Sequence, residues 1–495
     1  MRALYTNFRK FLRLLYGFAN RYTILQLPLW PFSPPKASMF SRRFVLNLAL
    51  LFLLLVLIVT SIYVVPPRQH LNTTLPTRHF SSTSISHLQT GATHEHYDAD
   101  PWNNPTAVVS AKQLMQTSLN YQNQQMMGWG AGDPEPSPGV YNWQSLDTRV
   151  QLMRDTNANM VLTLCAAPGW MRPSGYQDDW KYIEIAPDPT HVQDFANLAK
   201  AVAMRYPDVK YFQVWNELKG MWSTSPGATP AMSKLNRWDY ARYTTLYNAV
   251  YDAIKSVRPD AQIGGPYVVM DSDGNKSAMS NPGPSYSWGT LDQRPLDVIT
   301  YWLAHKHGAD FITVDGSSSN TDGVWLTDEF ATAQKFVDVY NWIRTQPNGG
   351  ATLPLWWAEW YAGYPSNAPK DLQYYNALMA SAEIYTLRSG AAVALIWQPQ
   401  GDRNGFSFPE GIWTDTGSVG GGQATPYYAT AKAFKDYFGS GTQLYQTSIS
   451  GPNLTVLASS TKVMLVNHLS IQQKVVVNAS TVILNPYQVT VINAQ

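Results

Sequence analysis

The chain has 495 residues, of which 45% are hydrophobic and 13% aromatic, a composition typical of folded globular proteins and unlike that of disordered chains. Its formal net charge of +2 combines two unlike parts, because all 34 acidic residues lie at or after Glu95 whereas ten of the 36 Lys and Arg residues precede it. Residues 95–495 therefore carry 26 basic and 34 acidic residues, a net charge of −8 that argues against nucleic acid as a partner.

Residues 44–65 form an uncharged apolar segment of 22 residues near the N-terminus. At about 1.5 Å per helical residue it is long enough to cross a hydrocarbon core of about 30 Å, so we predict a single transmembrane helix that acts as a signal-anchor. Eight basic residues lie within 1–43, and the positive-inside rule places this segment in the cytoplasm and the remainder outside the cell. The alternative is a cleaved secretory signal and a secreted protein, although no small-x-small cleavage site follows the apolar segment.

Residues 66–100 are rich in Ser, Thr, His and Pro and predict a flexible linker. After it, residues 101–440 alternate short apolar runs with amphipathic helical patterns, which predicts an α/β fold, a (β/α)8 TIM barrel. Strands are predicted at 124–129, 160–165, 211–215, 261–264, 310–314, 353–358 and 391–397, and a first strand is assigned to 106–110. Helices are predicted at 145–156, 191–206, 240–257, 296–306, 331–345, 372–388 and 425–438.

The last part of the chain, 441–495, has a different pattern. Short β-branched runs at 454–458, 462–467, 474–478 and 488–493 follow one another without a helical pattern between them. They predict a small antiparallel β-sheet domain that packs on the barrel as a brace. Two segments rich in Gly, Ser and Asn, 271–293 and 398–423, predict long loops over the face of the barrel that carries the site.

Two glutamates stand directly after apolar strands and beside aromatic residues, Glu217 in Tyr211-Phe-Gln-Val-Trp-Asn-Glu217 and Glu359 in Leu355-Trp-Trp-Ala-Glu359. Active sites of barrel enzymes lie at the carboxyl ends of the strands. Hydrolysis of a glycosidic bond with retention needs a carboxylic acid and a carboxylate about 5 to 5.5 Å apart, and the ends of the fourth and seventh strands could supply this pair. We therefore predict that Glu217 and Glu359 are catalytic.

These motifs resemble those of the clan A glycoside hydrolases, most nearly glycoside hydrolase family 39, over most of residues 124–440. Trp215-Asn216-Glu217 matches the end of the fourth strand in that clan, and Ala358-Glu359-Trp360 matches the end of the seventh. The resemblance implies that Glu217 is the acid/base and Glu359 the nucleophile of a retaining double displacement. It also implies that Asn216 binds the 2-hydroxyl of the sugar.

Three further segments bear on the resemblance. Trp397, in Leu395-Ile396-Trp397-Gln398, matches the eighth-strand tryptophan that forms the floor under the bound sugar, and Gln398 joins it as a candidate substrate-binding residue. Ile263-Gly264-Gly265-Pro266 resembles the fifth-strand end of family 39. The sixth strand ends at Asp315, where that family commonly has a His with a nearby Tyr. Asp315 is therefore predicted to bind sugar, to orient Glu359, or to make a local Asx turn.

Eighteen tryptophans exceed the needs of core packing, and several fall where strand-to-helix loops should lie. Aromatic rings bind the apolar C–H faces of sugars, so Trp129, Trp170 and Trp360 are predicted to contact the substrate together with Trp397. The nine His residues show no HExxH or similar spacing, so no metal site is predicted, and no cofactor is predicted either.

The preferred prediction is a membrane-anchored extracellular retaining glycosidase that cleaves a β-linked oligo- or polysaccharide. A barrel that binds glycans without hydrolysing them and a transglycosylase of the same fold are the alternatives. The sequence leaves open the sugar and its linkage, internal or terminal cleavage, the group that orients the nucleophile, and the oligomeric state.

Overall fold

The structure is a computed structural model that describes residues 81–94, 98–401, 411–447, 453–477 and 480–494. These residues belong to one compact unit, His70–Gln495. The predicted cytoplasmic segment 1–43, the predicted transmembrane helix 44–65 and the first part of the predicted linker lie outside the described residues. Within the described ranges, we find no helix of the length and apolarity that a bilayer crossing requires.

Eight parallel strands close into a barrel. In chain order, the strands from the start of the described residues to the last barrel strand are β1 (Ser81–Ile85), β2 (Gln89–Thr93), β3 (Tyr121–Gln125), β4 (Asn159–Leu164), β5 (Tyr211–Val214), β6 (Gln262–Val269), β7 (Ser272–Asp273), β8 (Pro282–Tyr286), β9 (Gly289–Asp292), β10 (Phe311–Ser317), β11 (Leu355–Tyr361) and β12 (Val393–Trp397). Of these, β1, β7, β8 and β9 lie outside the barrel. The barrel runs in the order β2-β3-β4-β5-β6-β10-β11-β12, and β12 pairs in parallel with β2 to close it. This confirms the predicted TIM barrel, and each of the seven apolar runs overlaps a barrel strand.

Helices connect the strands and cover the barrel. They are α1 (Pro105–Ser118), α2 (Gln144–Asp155), α3 (Val192–Arg205), α4 (Tyr240–Lys255), α5 (Gln293–His305), α6 (Gln334–Arg344), α7 (Leu372–Ser389) and α8 (Pro426–Ala433), which continues into a π-helical turn, Phe434–Phe438. Single 3-10 turns lie at Gly169–Met171, Pro189–His191, Met232–Lys234, Lys276–Ala278 and Ala331–Ala333. All seven predicted helices overlap observed ones because their apolar residues recur at helical spacing and are buried against the strands.

The first barrel strand is not at 106–110 as predicted. Those residues lie in α1, whose N-cap residue Asn104 accepts hydrogen bonds from the backbone N–H groups of Thr106 (3.1 Å) and Ala107 (3.2 Å). The first strand is β2, inside the segment predicted to be a flexible linker. Its small polar residues resemble a linker, but Gly91 packs so closely on β3 that an added Cβ would lie 2.4 Å from the carbonyl oxygen of Tyr121.

The segment 271–293 is also more ordered than a loop. It folds into a three-stranded antiparallel sheet in the order β7-β9-β8, and its last residue, Gln293, begins α5. Asp292 accepts a hydrogen bond from the backbone N–H of Arg294 (2.8 Å) and caps that helix. These short strands are rich in Gly, Ser and Pro, and pairing between them satisfies their backbone polar groups. Hydrophobic periodicity does not reveal such pairing.

The barrel interior is apolar at one end and polar at the other. Tyr121, Phe311 and Trp356 belong to one buried cluster, in which the rings of Phe311 and Trp356 stack 4.1 Å apart, and the partly buried Tyr211 packs against it. Each of these residues is the first or second of its strand. This cluster fills the barrel at the amino ends of the strands. Buried polar side chains replace apolar ones toward the carboxyl ends, where the site lies.

A second sheet packs beside the barrel and joins β1 to four strands from the C-terminal part of the chain. Its C-terminal strands are β13 (Gln443–Gln446), β14 (Leu454–Ser459), β15 (Lys462–Asn467) and β18 (Val489–Asn493), and β16 (Gln473–Val477) pairs with β17 (Ser480–Leu484) as a hairpin. The Arg388 guanidinium on α7 donates to the Val456 carbonyl (2.6 Å), and His468 stacks on Phe330 with ring centroids 4.1 Å apart. The predicted antiparallel domain is confirmed, with β1 as an added strand from the other end of the chain.

Candidate active site

A cavity of about 490 Å³ opens at the carboxyl ends of the barrel strands. Its lining includes six of the nine residues predicted from the sequence to act in catalysis or substrate binding: Trp129, Asn216, Glu217, Asp315, Glu359 and Trp397. They come from the ends of five different barrel strands or the loops that follow them, so no short stretch of the chain contains the site.

The turn after β5 has an unusual backbone. Trp215, Glu217 and Leu218 have φ values of +67°, +49° and +51°, in the left-handed region that residues other than Gly rarely adopt. Each such residue costs on the order of 1 to 3 kcal/mol and persists only where its surroundings hold it. Here the buried indole N–H of Trp215 donates to the Lys219 carbonyl (2.9 Å) and locks the turn. The turn directs Glu217 into the cavity.

The two predicted catalytic carboxyls meet across this cavity. One carboxylate oxygen from each of Glu217, Asp315 and Glu359 lies within 4.8 Å of one from each of the others. Asp315 and Glu359 are partners in register on the adjacent strands β10 and β11. Retaining glycosidases hold their two carboxyl groups about 5 to 5.5 Å apart, whereas inverting enzymes leave about 6.5 to 9.5 Å for a water molecule. An oxygen-to-oxygen separation of at most 4.8 Å is shorter than the inverting range and compatible with the retaining one.

Glu359 is held by two donors. The Tyr267 hydroxyl donates to Oε1 of Glu359 at 2.6 Å, and the Asn216 side-chain amide donates to the same oxygen at 3.2 Å. Burial, followed by the charge of Glu359, raises the pKa of the Tyr267 phenol well above its ordinary value, so the phenol remains protonated and donates. Sequence analysis missed Tyr267, although it directly follows the motif Ile263-Gly264-Gly265-Pro266. The Tyr267 donor on β6, the fifth barrel strand, thus orients the Glu359 carboxylate on β11, the seventh.

A chain of buried polar groups supports the backbone next to Glu359. The Thr93 hydroxyl donates to the Ala358 carbonyl (2.6 Å), and the Asn123 amide donates to the Thr93 hydroxyl (3.1 Å). The Thr163 hydroxyl donates to Asn123 (2.9 Å), and the Gln213 amide donates to Thr163 (3.2 Å). The chain joins four neighbouring strands to the residue before Glu359, and such networks hold a functional side chain in one position.

Glu217 contacts a cation and a second carboxyl. The Lys219 ammonium lies 2.5 Å from Oε2 of Glu217, with 22% of the lysine side chain and 24% of the glutamate side chain exposed. Burial alone would raise the pKa of Glu217, but its hydrogen bond with Asp315 and the Lys219 charge together lower it. Burial raises the pKa of Asp315 well above its ordinary value, and the charges of Glu217 and Glu359 raise it further. The contact with Lys219 thus favours the ionised form of Glu217.

Two further ionisable side chains, Lys335 and Asp271, line the cavity near β10. Lys335, at the start of α6, is 2% exposed and donates to the Ser319 carbonyl at 3.2 Å. Burial lowers the pKa of Lys335 to about 8, although the charges of Asp271 and Asp315 oppose the change. Burial raises the pKa of Asp271, and the Lys335 charge counteracts this. Sequence analysis did not identify either residue, because neither lies in a recognisable motif.

Three predicted substrate-binding residues do not line the cavity. Trp360 is 1% exposed and packs edge-on against Phe336 with ring centroids 5.8 Å apart. Successive strand residues face opposite sides, so Trp360 points to the helices while Glu359 and Tyr361 face the cavity. The Trp170 indole N–H donates to the Glu135 carbonyl (2.7 Å) outside the cavity.

Gln398 is the third. Its backbone N–H donates to the Thr93 carbonyl at 3.1 Å, where the last barrel strand meets the first. Its side chain is absent from the cavity lining, whereas the preceding Trp397 lines it with Tyr361, the two rings lying 6.1 Å apart. Tyr361 is thus the aromatic residue that sequence analysis should have chosen in place of Trp360, two positions along the strand from Glu359.

A second depression, which we call the aromatic groove, adjoins the cavity. It has a volume of about 390 Å³, and Trp102, Trp129 and Trp180 line it together with the glycine-rich loop 128–132. Trp102 and Trp180 are 65% and 59% exposed, and Trp129 also lines the catalytic cavity. The groove and the catalytic cavity thus share Trp129, and exposed indoles of this kind can stack on sugar rings.

Among the described residues, one group of acidic, His or Cys side chains is close enough to share a metal ion, namely Glu217, Asp315 and Glu359. Protein groups already compensate its charge. Lys219 contacts Glu217, and Tyr267 and Asn216 donate to Glu359.

No family model matches the chain, and no curated protein matches it in sequence. Solved structures do match. A glycoside hydrolase family 39 enzyme from Xanthomonas axonopodis pv. citri is 15% identical over 81% of this chain and 77% of that one, with a TM-score of 0.52. A monomeric β-xylosidase from Caulobacter crescentus CB15 is 14% identical over 79% and 76%, with a TM-score of 0.50. A family 30 subfamily 8 xylanase from Clostridium acetobutylicum is 12% identical over 83% and 96%, with a TM-score of 0.51. The chain has a glycoside hydrolase-like fold.

Proposed function

We propose that this protein is a retaining glycosidase in which Glu359 is the nucleophile and Glu217 the acid/base. The observation that carries the proposal is the meeting of these two side chains, from opposite arcs of the barrel, with carboxylate oxygens within 4.8 Å. Their separate environments support the assignment. Glu359 is held by neutral donors and is 8% exposed, whereas Glu217 is more exposed and lies on a lysine.

The reaction takes place in two steps. An oxygen of Glu359 attacks the anomeric carbon while the bond to the leaving oxygen breaks and that oxygen receives a proton through Glu217. A glycosyl ester of Glu359 results. Glu217, now a base, then takes a proton from water, whose oxygen attacks the same carbon and releases Glu359 as a carboxylate. Two inversions give retention at the anomeric carbon.

The substrate is proposed to be a β-linked oligo- or polysaccharide. Asn216 and Trp397 line the cavity beside the carboxylates, where they can bind the sugar 2-hydroxyl and its apolar face. The aromatic groove extends this surface beyond one sugar unit and favours a chain as the substrate. Because the similar structures include a β-xylosidase and a xylanase, β-xylosides are the first substrates to test.

Kinetics of the full-length protein on 2,4-dinitrophenyl β-glycosides of several sugars test the proposal. Glu359→Ala should abolish turnover, and azide should restore it with the glycosyl azide of inverted configuration. Glu217→Ala should retain slow turnover of substrates with good leaving groups only. If neither substitution changes the rate, the assignment is wrong. Product analysis with added sugar acceptors separates hydrolysis from transfer to a second sugar.

We also propose that residues 44–65 anchor the protein in the cell membrane with the barrel outside the cell. The support is the uncharged apolar segment and the eight basic residues before it. Membranes washed with alkaline carbonate should retain the full-length protein and release a version that lacks residues 1–69. Protease added to intact cells should digest the barrel. Recovery of the intact protein from the medium would instead indicate secretion.

A further inference from the structure

We propose that Asp315 holds the proton that Glu217 delivers to the leaving oxygen, so that the acid of the reaction is a pair of carboxyl groups. This inference rests on the proposed function and concerns where the proton resides. Asp315 acts on the leaving oxygen only through Glu217, so it is a positioning residue and not a catalytic one. Neither the resemblance of the sequence motifs nor the similar folds assigns it this role.

The contact between the two carboxyl groups requires a proton. Asp315 and Glu217 share a side-chain hydrogen bond. Carboxylate oxygens of the two residues lie within 4.8 Å of each other, and Oδ2 of Asp315 is buried with no hydrogen-bond partner in the described part of the chain. Two ionised carboxylates have only acceptors, and at this distance they repel each other. One proton therefore lies between them, as in other carboxyl pairs of enzymes.

The surroundings place this proton on Asp315. Glu217 contacts the Lys219 ammonium at 2.5 Å and is partly exposed, and both conditions favour its ionised form. Asp315 is 3% exposed, and no ion pair within 4 Å is found for it in the described ranges. The titratable groups that face Asp315 are Glu217 and Lys219 from the turn after β5, Tyr267 from β6, Glu359 from β11 and Lys335 from α6. Burial and the two glutamates outweigh the two lysines and raise the pKa of Asp315.

The charges balance over the first step. Before it, Glu217 and Glu359 are ionised and Asp315 is protonated. The proton of Asp315 moves to Glu217 and from Glu217 to the leaving oxygen, while Glu359 becomes a neutral ester. Afterwards Glu217 and Asp315 are ionised, so the three groups carry the same total charge as before. Because the charge of Glu359 helps to keep Asp315 protonated, ester formation releases the Asp315 proton at the moment it is needed. Water returns it in the second step.

Asp315→Asn tests the inference, because an amide still donates a hydrogen bond to Glu217 but has no proton to transfer. We expect kcat/KM to fall on the order of 100-fold or more for glycosides with poor leaving groups. Dinitrophenyl glycosides, which need no protonation, should lose much less. The plot of log kcat/KM against leaving-group pKa should become as steep as that of Glu217→Gln.

Asp271→Asn is the matched control, because Asp271 is another carboxyl that lines the cavity and has a raised pKa. Its leaving-group slope should equal that of the native enzyme, whatever its KM. If Asp315 only binds a sugar hydroxyl or braces the turn, Asp315→Asn will raise KM with the native slope, and the inference is wrong. If the native protein cleaves no glycoside, or if Glu217→Gln has the native slope, the proposed function itself is wrong.

A second measurement does not depend on the folding of any variant. The native enzyme is labelled with 13C at the carboxyl carbon of either aspartate or glutamate, and infrared spectra are recorded before and after Glu359 is trapped as a 2-fluoroglycosyl ester. The carboxylic acid band of the resting enzyme that changes on trapping should shift with the aspartate label. A band that shifts only with the glutamate label places the proton on Glu217 and overturns the inference.

Discussion

Replacement of Tyr267 by Phe tests how the nucleophile is oriented. The Tyr267 hydroxyl lies 2.6 Å from Oε1 of Glu359, and the tyrosine is fully buried, so no water can take its place without rearrangement. Phe keeps the ring and removes only the donor. Asn216 still donates to the same oxygen at 3.2 Å, so the carboxylate should stay in place but lose its shorter hydrogen bond.

The expected loss follows from the strength of that bond. A hydrogen bond to a charged group contributes about 1.5 to 3 kcal/mol. Since about 1.36 kcal/mol corresponds to a tenfold change in rate, Tyr267→Phe should lower kcat/KM by about 10- to 150-fold. The leaving-group slope should not change, because Tyr267 acts on the nucleophile and not on the acid. Loss of the donor also destabilises the ionised form of Glu359, so the acidic limb of the pH–rate profile should move to higher pH.

The assay is the rate of dinitrophenol release on the full-length protein as a function of pH. Tyr243→Phe is the control, because Tyr243 is also fully buried but donates to the Val214 carbonyl (3.0 Å). It should cost about 1 kcal/mol of stability and leave the acidic limb unchanged. If Tyr267→Phe keeps more than half of the native kcat/KM and the native acidic limb, Tyr267 does not orient Glu359.

Three further predictions follow from burial and packing. Burial raises the pKa of Glu383 from 4.5 to about 8, although a hydrogen bond from Tyr427 opposes the change. The folded protein therefore binds this proton more tightly, and stability should fall as the pH rises from about 4.5 to 8, by on the order of 5 kcal/mol. Urea unfolding should show Glu383→Gln to be more stable than the native protein at pH 8.5 but not at pH 4.5. If the variant and the native protein have the same unfolding curve at each pH, this prediction is wrong. Trp180→Ala should lower kcat/KM on oligosaccharides by about 2- to 10-fold relative to aryl monoglycosides, and an equal effect on both would place Trp180 outside the substrate path. Gly91→Ala should lower the free energy of unfolding in urea by more than about 1 kcal/mol, because the new Cβ would meet the backbone of β3. Gly132→Ala is the control and should lower it less, because the nearest atom to a Cβ added there is 3.4 Å away.

Much of the architecture could be predicted from local pattern. Apolar runs of strand length that alternate with helical periodicity indicated seven barrel strands and the helices between them, because burial between the barrel interior and the helices requires such runs. The same pattern placed Glu217 and Glu359 at strand ends, which face a common rim in a parallel barrel. The β-branched runs after residue 440 indicated an antiparallel sheet.

The strand β2 shows where local pattern fails. Its residues, Gln89-Thr-Gly-Ala-Thr93, are mostly small or polar, and four of the five are buried. Thr93 donates to the carbonyl of Ala358, 265 positions away. Composition made this segment resemble a linker, and only closure of the barrel shows that it is a strand. A fragment that begins near residue 95 would therefore lack the first strand.

The sequence by itself determined the barrel, the rim on which the chemistry lies, and the two glutamates that the geometry brings together. Only the tertiary structure decided their partners, namely Tyr267 on Glu359, and Asp315 with Lys219 on Glu217. It also decided that Tyr361, and not Trp360, faces the cavity. The physical reason is that periodicity records which residues are buried, whereas hydrogen bonds and proton sharing depend on contacts between residues far apart in the chain.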